Sequence, residues 1–445
     1  MEILSDILEA RDAGSPALRS TGKDLSSGEL SGSVRVLREG ALKEVSGQSV
    51  TLLCRDIPAY TTALIALDGW SMRILLADDS IDRTQLEKFE AKLEVAFRVT
   101  ALEEGFEVTR LSKAGALLGH THEALTEWVV PTSGTTGEPK LIAHDLRSLT
   151  RSVKRPTELS STICWGLLYS PTRFAGVQVI LQALAGGSCL AVPAAMTPIE
   201  AAVKTLSSCG CNALSATPSL WRKLAFAGLL SALELKYITL GGEASDQKIL
   251  DTLQEHYPAA TIRHIYASTE AGVGFSVADG LVGFPVDYLQ NSPPGVALKI
   301  SDEGMLLLRP TKLYQKLLSG GDVLIDVDGW IASGDIVEQK ENRYHFLGRE
   351  NGAINVGGQK VHPTTVEAVL SEIPDVQATH VFGKPNPILG ALVAAEIVAR
   401  PEVDTAQLKK LILEHCKDRL EPFQTPAVIH FVEDFELTPA GKVKR

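Results

Sequence analysis

The chain has 445 residues, 44% of them apolar, and 43 Lys and Arg against 54 Asp and Glu, for a formal net charge of −11. That length permits two or three domains with sizeable cores. The acidic balance argues against bulk binding to nucleic acid or an anionic membrane, which needs dense positive charge, but not against a small anion held in a local basic nest.

The opening "MEILSDILEARDAGSP" carries early acids and no continuous apolar core, so a secretory signal is not expected. No uninterrupted apolar run approaches the ~18 residues of a membrane-spanning helix. Six cysteines are scattered, and only Cys209 and Cys211 are close. C-x-C lacks the paired spacing of a zinc site, so reduced, buried thiols in a cytoplasmic protein are expected.

In chain order, "LSSGELSGS" (25–33) reads as a loop. "QSVTLLCRD" reads as a strand, "PAYTTALIALDGW" as a helix, "MRILLADD" as a strand and "QLEKFEAKLEVAF" as a helix. The strand "EWVVP" then runs into a Gly/Thr loop. Beyond it, helices ("RFAGVQVILQALAGG", "PIEAAVKTLSSCG", "PSLWRKLAFAG", "SDQKILDTLQEHY") alternate with apolar strands ("SCLAVP", "NALSAT", "LKYITLGG", "TIRHIYA"). Such alternation predicts an α/β fold with mostly parallel sheets. After about residue 295 the pattern changes to antiparallel strands with Asp/Gly turns. From residue 351 onward a compact α+β unit is expected, which divides the chain into 1–350 and 351–445.

The Gly/Thr loop is "PTSGTTGEPK", Pro131 to Lys140. Its two glycines, four hydroxyls and lysine suit a phosphate cradle. It is not a Walker loop, because Gly134 and Gly137 are three apart, Pro139 precedes Lys140, and Leu141 follows it. The dinucleotide fingerprint is absent too, since "GVGFSV" at Gly272 lacks the third glycine.

Five motifs in order resemble the acyl-adenylate-forming superfamily, which contains acyl- and aryl-CoA ligases, luciferases and peptide-synthetase adenylation domains. They are "TSGTTGEPK", "YASTE" (266–270), "WIASGD" (330–335), "GRENGAINVGGQKVHPTTVE" (348–367) and "LTPAGKVKR" (437–445). The resemblance runs from Trp128 to the last residue and only loosely covers the first 120. It implies a large N-terminal domain of helix-flanked sheets with a distorted barrel-like part, and a small mobile C-terminal lid. It also implies attack of a carboxylate on the α-phosphorus of ATP, release of pyrophosphate, and transfer of the acyl group from AMP to a thiol, with CoA as acceptor and a carrier-protein phosphopantetheine as the alternative. A catalytically inactive nucleotide-binding relative is the reading of another class.

By that resemblance, Thr132, Ser133, Gly134, Thr135, Thr136, Gly137 and Lys140 hold the β- and γ-phosphates. Gly242, Glu243, Ala244, Tyr266, Ala267 and Ser268 frame adenine, with Tyr266 stacking on it, and Thr269 meets the α-phosphate. Glu270 takes Mg²⁺, a hard cation suited to carboxylate and phosphate oxygens. Asp335 and Arg349 grip the ribose diol. Lys442 bridges the attacking carboxylate and the α-phosphate, and is catalytic with Glu270 and Thr136. His264 either receives the adenine amino group in one tautomer or is a strand-end core residue. Asn351 is the hinge, and Gly357, Gly358 and Lys360 belong to the thiol tunnel. Arg173, Phe174, Gly176, Val177, Gly241, Ala267 and Gly272 are expected around the acid. His144 is given no role.

Overall fold

The computed structural model describes residues 3–111, 125–132, 140–154, 156–194, 197–312, 316–319 and 325–435. An eight-stranded sheet has the order 272–277, 261–268, 237–241, 213–216, 164–167, 189–191, 16–20, 23–26. Its inner pairings are parallel, and only its two edge pairs are antiparallel. A seven-stranded sheet has the order 316–319, 140–144, 127–132, 73–78, 49–54, 97–102, 105–110, with the strands 127–132, 73–78, 49–54 and 97–102 parallel and the three outer strands added antiparallel. All six residues of its inner strand Ser49–Cys54 are buried, as expected of a parallel strand covered on both faces.

The third sheet is wholly antiparallel and corresponds to the barrel-like part expected from the sequence: 284–285, 343–349, 331–340, 305–310, 296–300. Residues after Arg349 build a sheet of their own from 354–356, 359–361, 376–386, 390–399 and 428–432. Its core is separate from the others and lies under the helices Pro363–Ser371 and Thr405–Lys417.

Local chemistry sets most helix starts. Thr217 caps Pro218–Phe226 through the Leu220 N–H, with proline in the first turn where its missing donor costs nothing. Asp246 caps Gln247–His256 in the same way. Trp221, fully buried, donates its indole N–H to the Thr239 carbonyl and so ties the first of these helices to the strand Tyr237–Gly241.

Two sequence expectations are corrected. "LSSGELSGS" is the end of a strand followed by the helix Ser27–Glu39. Ser26 and Glu29 form a reciprocal capping box whose signal outweighs Gly28 and Gly32. "QLEKFEAKLEVAF" stops being helical at Lys92, and Phe97 already opens a strand hairpin that reaches Arg110. All six cysteines are buried and free, as expected. Among the described residues no helix is long and apolar enough to cross a membrane.

Candidate active site

The C-terminal ends of parallel strands are where open α/β sheets collect ligand groups. Here they open on a cleft of about 2750 Å³ bounded by both large sheets, the antiparallel sheet and the C-terminal unit. A single small ligand occupies ~300–1,000 Å³, so this volume suits several ligand parts at once.

Described residues of four of the five motifs meet there, together with the turn 241–244. The strands Glu127–Thr132 and Lys140–His144 run antiparallel, with Thr132 opposite Lys140, so the Gly/Thr loop closes a hairpin at the cleft edge. Ser133, Gly134, Thr135, Thr136 and Gly137 lie outside the described residues, as does Lys442. Thr132 and Lys140 line the cleft. The Thr132 hydroxyl is buried with no partner among the described residues, an open donor beside the loop. Gly241, Gly242, Glu243 and Ala244 line it from the end of the next strand, and Ala267, Ser268, Thr269 and Glu270 from the turn after Thr261–Ser268. The Ser268 hydroxyl accepts from the Ala271 N–H and fixes that turn.

Asp335 and Arg349 stand opposite each other on neighbouring strands. The Arg349 Nε lies 2.8 Å from Asp335 Oδ1, and Tyr266 donates its hydroxyl to Asp335 Oδ2 at 2.5 Å. Burial first, and the Asp335 charge second, push the Tyr266 phenol well above its ordinary value, so it stays a donor. Tyr266 also lines the cleft. Its ring stacks on Phe275 and Phe346, both with centroids at 5.2 Å. Its partners here are protein rings, and its polar end positions Asp335.

The packing places the other expected residues. His264 lines the cleft and bonds through Nε2 to the Leu281 carbonyl at 3.0 Å. The Glu243 carboxylate accepts from the Ser219 N–H at the start of Pro218–Phe226, so its side chain serves the helix end. Gly176 and Val177 do not line the cleft. A Cβ on Gly176 would lie 2.0 Å from the Ser170 carbonyl oxygen, and Val177 is fully buried in the core. Gly272 sits at φ +74 behind the cleft wall, where Arg151 packs against it and donates to the carbonyls of Ala271 and Val273.

Gly357 and Gly358, with φ of +59 and +91, form the two-residue turn between Ile354–Val356 and Gln359–Val361. Positive φ at both central positions is what such a hairpin demands, and neither glycine nor Lys360 reaches the cleft in this orientation. Asn351 does line it.

Arg173 precedes the helix Phe174–Leu184 and donates to the Pro131 carbonyl at 3.0 Å and to Ser80 at 3.1 Å. It thereby anchors the strand that feeds the Gly/Thr loop. Beside it, Asp78 accepts from the hydroxyls of Ser170, Thr172 and Ser80. Burial pushes that carboxyl up, but the three hydroxyls outweigh it and hold the group below its ordinary value. The acid at the end of "MRILLADD" was a readable signal for this hub, since strand-end acids in α/β sheets face the ligand side.

His144, to which sequence reasoning gave nothing, is 2% exposed and lies 5.5 Å from the Phe174 ring. Nδ1 bonds the Ser148 hydroxyl, while Nε2 faces the Thr269 backbone without closing a well-formed hydrogen bond. Burial lowers its pKa from 6.5 to about 4. The unfolded chain therefore takes up this proton below pH ~6.5 and the native protein only near pH ~4, so stability is complete above ~6.5 and drains as pH falls between the two. The expected loss is about 3.5 kcal/mol, from roughly 2.5 pH units at ~1.4 kcal/mol each. Urea midpoints at pH 7 and 4.5 should diverge less in His144→Gln than in the parent; equal divergence removes His144 as the cause.

The C-terminal unit is held at its present angle by Lys248, whose ammonium donates to the carbonyls of Ser371, Ile373 and Val376 at 3.1, 3.4 and 3.1 Å. Lys223 adds an ion pair to Asp434 at 2.6 Å. Lys248→Ala should shift the orientation equilibrium about tenfold away from this arrangement, the size of one net charged hydrogen bond. Limited proteolysis around residue 350 should speed up; an unchanged cleavage rate would show that the clasp is incidental.

A carboxylate for Mg²⁺ is present in Glu270, while no group of three or more His, Cys, Asp or Glu able to hold a metal occurs among the described residues. That donor set fits Mg²⁺, which commonly takes one or two carboxylates and completes its shell with phosphate oxygens and water.

Comparison with known proteins accords with this geometry. Residues 11–313 match the model of the AMP-binding enzyme family, and residues 365–442 that of the AMP-binding enzyme C-terminal domain. The acyl-coenzyme A synthetase ACSM2, mitochondrial, of Rattus norvegicus is 29% identical over 346 residues, 71% of this chain and 59% of that protein. The chain therefore spans less than two thirds of the length of the curated acyl-CoA synthetases it matches. Surfactin synthase subunit 1 of Bacillus subtilis is 27% identical over 412 residues, 83% of this chain and 11% of that protein. Among solved structures, an arginine-to-lysine variant of E. coli MenE with bound OSB-AMS superposes with a TM-score of 0.77 at 22% identity, covering 97% of this chain and 96% of that one. The anthranilate CoA ligase AuaEII in complex with anthranoyl-AMP gives 0.76 at 19% identity, over 99% and 95%. With both models matched in order along one chain, and the motif segments gathered at one cleft, the protein belongs to the AMP-binding enzyme family.

Proposed function

We propose that the protein activates a carboxylic acid with ATP and passes the acyl group to the thiol of CoA. What supports this reading is the convergence on one cleft of Thr132, Lys140, the Gly241–Gly242 turn, Thr269, Glu270 and the Asp335–Arg349 pair, groups drawn from segments more than 200 residues apart.

In the first half-reaction a carboxylate oxygen bonds to the α-phosphorus and the bond to the β-phosphate bridging oxygen breaks, so pyrophosphate leaves. Negative charge gathers at one phosphorus, and fixed donors and cations lower that barrier more than a proton shuttle would. Lys140 and the Thr132 hydroxyl face the pyrophosphate side, Asp335 and Arg349 hold the ribose, and Glu270 is the protein's carboxylate toward Mg²⁺. Bound Mg²⁺ supplies charge neutralisation across the phosphates. In the second half-reaction a thiolate bonds to the acyl carbon and AMP departs. The nucleotide-side donors are the same in both steps, so the C-terminal unit supplies what differs between them, Lys442 in the first and the approach of the thiol in the second.

The test is pyrophosphate release from ATP across a panel of carboxylic acids, followed by addition of CoA or of a carrier protein bearing phosphopantetheine. AMP and an acyl-CoA are the expected products. Thioester formation on the carrier alone would change the acceptor. Nucleotide binding with no pyrophosphate from any acid would leave a non-catalytic relative, and ADP in place of AMP would make the protein a kinase.

A further inference from the structure

From the nucleotide groups the cleft continues along one face of the eight-stranded sheet. Register places Ser215, Thr239 and Arg263 side by side, with Tyr237 next to Thr261, and alternation puts them all on the face that also carries Gly241 and Ala267. All line the cleft. The opposite face, with Leu214, Ile238 and Leu240, is buried core. Across the groove, Phe174, Gln178 and Gln182 recur at four-residue spacing on the helix Phe174–Leu184, and Lys154 stands on the loop beyond. The groove is therefore apolar where it meets the nucleotide and increasingly polar away from it.

The charges in it are unusual for this chain. The protein carries a net −11, and its partly buried arginines are generally engaged: Arg73 with Glu127, Arg98 with Glu90, Arg222 with Asp246, Arg343 with Asp279, and Arg151 with two carbonyls. Arg263 is half-buried and makes no hydrogen bond, ion pair or ring contact with any described residue. Lys154 likewise has no such partner among the described residues. Burial first, and the Arg263 charge second, lower the Lys154 pKa, with no acid offsetting them. Two cations held near each other in a shared groove without a counter-ion repel, and an anion between them removes that cost.

We propose that Arg263, assisted by Lys154, binds a second carboxylate at the far end of the acid, so that the substrate class is a dicarboxylic acid. The assignment rests on the reading of this cleft as the place of acid activation. Arg263 lies four residues before Ala267 on one strand, which at ~3.3 Å per residue is about 13 Å from the reacting end. An extended chain advances ~1.2 Å per bond, three bonds per ~3.6 Å residue, so with the arginine reaching inward straight-chain dicarboxylates of roughly six to ten carbons fit. The reacting carboxylate stays at the phosphate, and the distal one meets the guanidinium fork, whose two parallel N–H donors match carboxylate geometry.

The experiment compares octanedioate with its monomethyl ester, which keeps the length and removes the distal charge. It uses the full chain as wild type, Arg263→Gln, Arg263→Lys and Lys154→Gln. Wild type should favour the diacid by about tenfold or more in kcat/KM for pyrophosphate release, carried by KM. Arg263→Gln should bring the ratio near one, Arg263→Lys should keep part of it, and Lys154→Gln should lower it less. Equal use of diacid and ester by wild type, or a preference that survives Arg263→Gln, overturns the assignment while leaving acid activation standing. Should no acid release pyrophosphate, titration calorimetry of the same two compounds still decides. Tighter diacid binding lost in Arg263→Gln supports the site, and equal binding overturns it.

Discussion

Replacing Asp335 with asparagine is expected to lower kcat/KM for ATP by roughly a hundred- to a thousandfold while the fold is kept. The carboxylate is 16% exposed and accepts from two donors at once, Arg349 at 2.8 Å and the Tyr266 hydroxyl at 2.5 Å. Each hydrogen bond to a charged group contributes ~1.5–3 kcal/mol. Arg349 is half exposed, so the lower part of that range applies to its share. The sum, about 3–4 kcal/mol, is two to three powers of ten in rate at ~1.4 kcal/mol each. Tyr266→Phe removes only one donor and leaves the ring stacked on Phe275 and Phe346, so about tenfold is expected from it. Should both variants lose activity only in proportion to a fall in melting temperature, Asp335 is a fold residue and the ribose assignment fails.

Lys442→Ala carries the other large effect. A single fixed cation or donor at the developing charge of a transition state is worth ~2.7–4 kcal/mol, so adenylate formation should fall by about two to three powers of ten. Thioester formation from a preformed acyl-AMP should be spared, because the lysine's charge is asked for only while pyrophosphate departs. Separate assays of the two half-reactions decide it: an equal loss in both contradicts the assignment. Lys248→Ala supplies the control for lid position, since it disturbs the orientation of the C-terminal unit without touching the lysine itself.

The alternation of apolar strands and amphipathic helices made the α/β class readable, and both large sheets have a parallel centre with antiparallel strands added outside it. The motifs were readable because each is local, with residue types and spacing contained in five to twenty positions. Ser26 to Glu29 shows the limit of composition, where a capping box outweighs two glycines that suggested a loop. Gly357 and Gly358 show glycines whose positive φ is what a two-residue hairpin turn demands, a constraint that their adjacency alone does not reveal.

What the sequence determined alone was the fold class, the family and the motif segments that line one cleft, because periodicity and motif spacing are properties of short stretches. What only the tertiary structure decided was the orientation of side chains within those segments. Tyr266 faces Asp335 and two phenyl rings, Glu243 faces a helix end, and Arg173 anchors the strand before the Gly/Thr loop. Arg263 has no hydrogen-bond, ion-pair or ring partner among the described residues. Each of these outcomes depends on a neighbour tens of residues away or more, so pairing, burial and charge compensation are settled only once the distant strands have been brought into register.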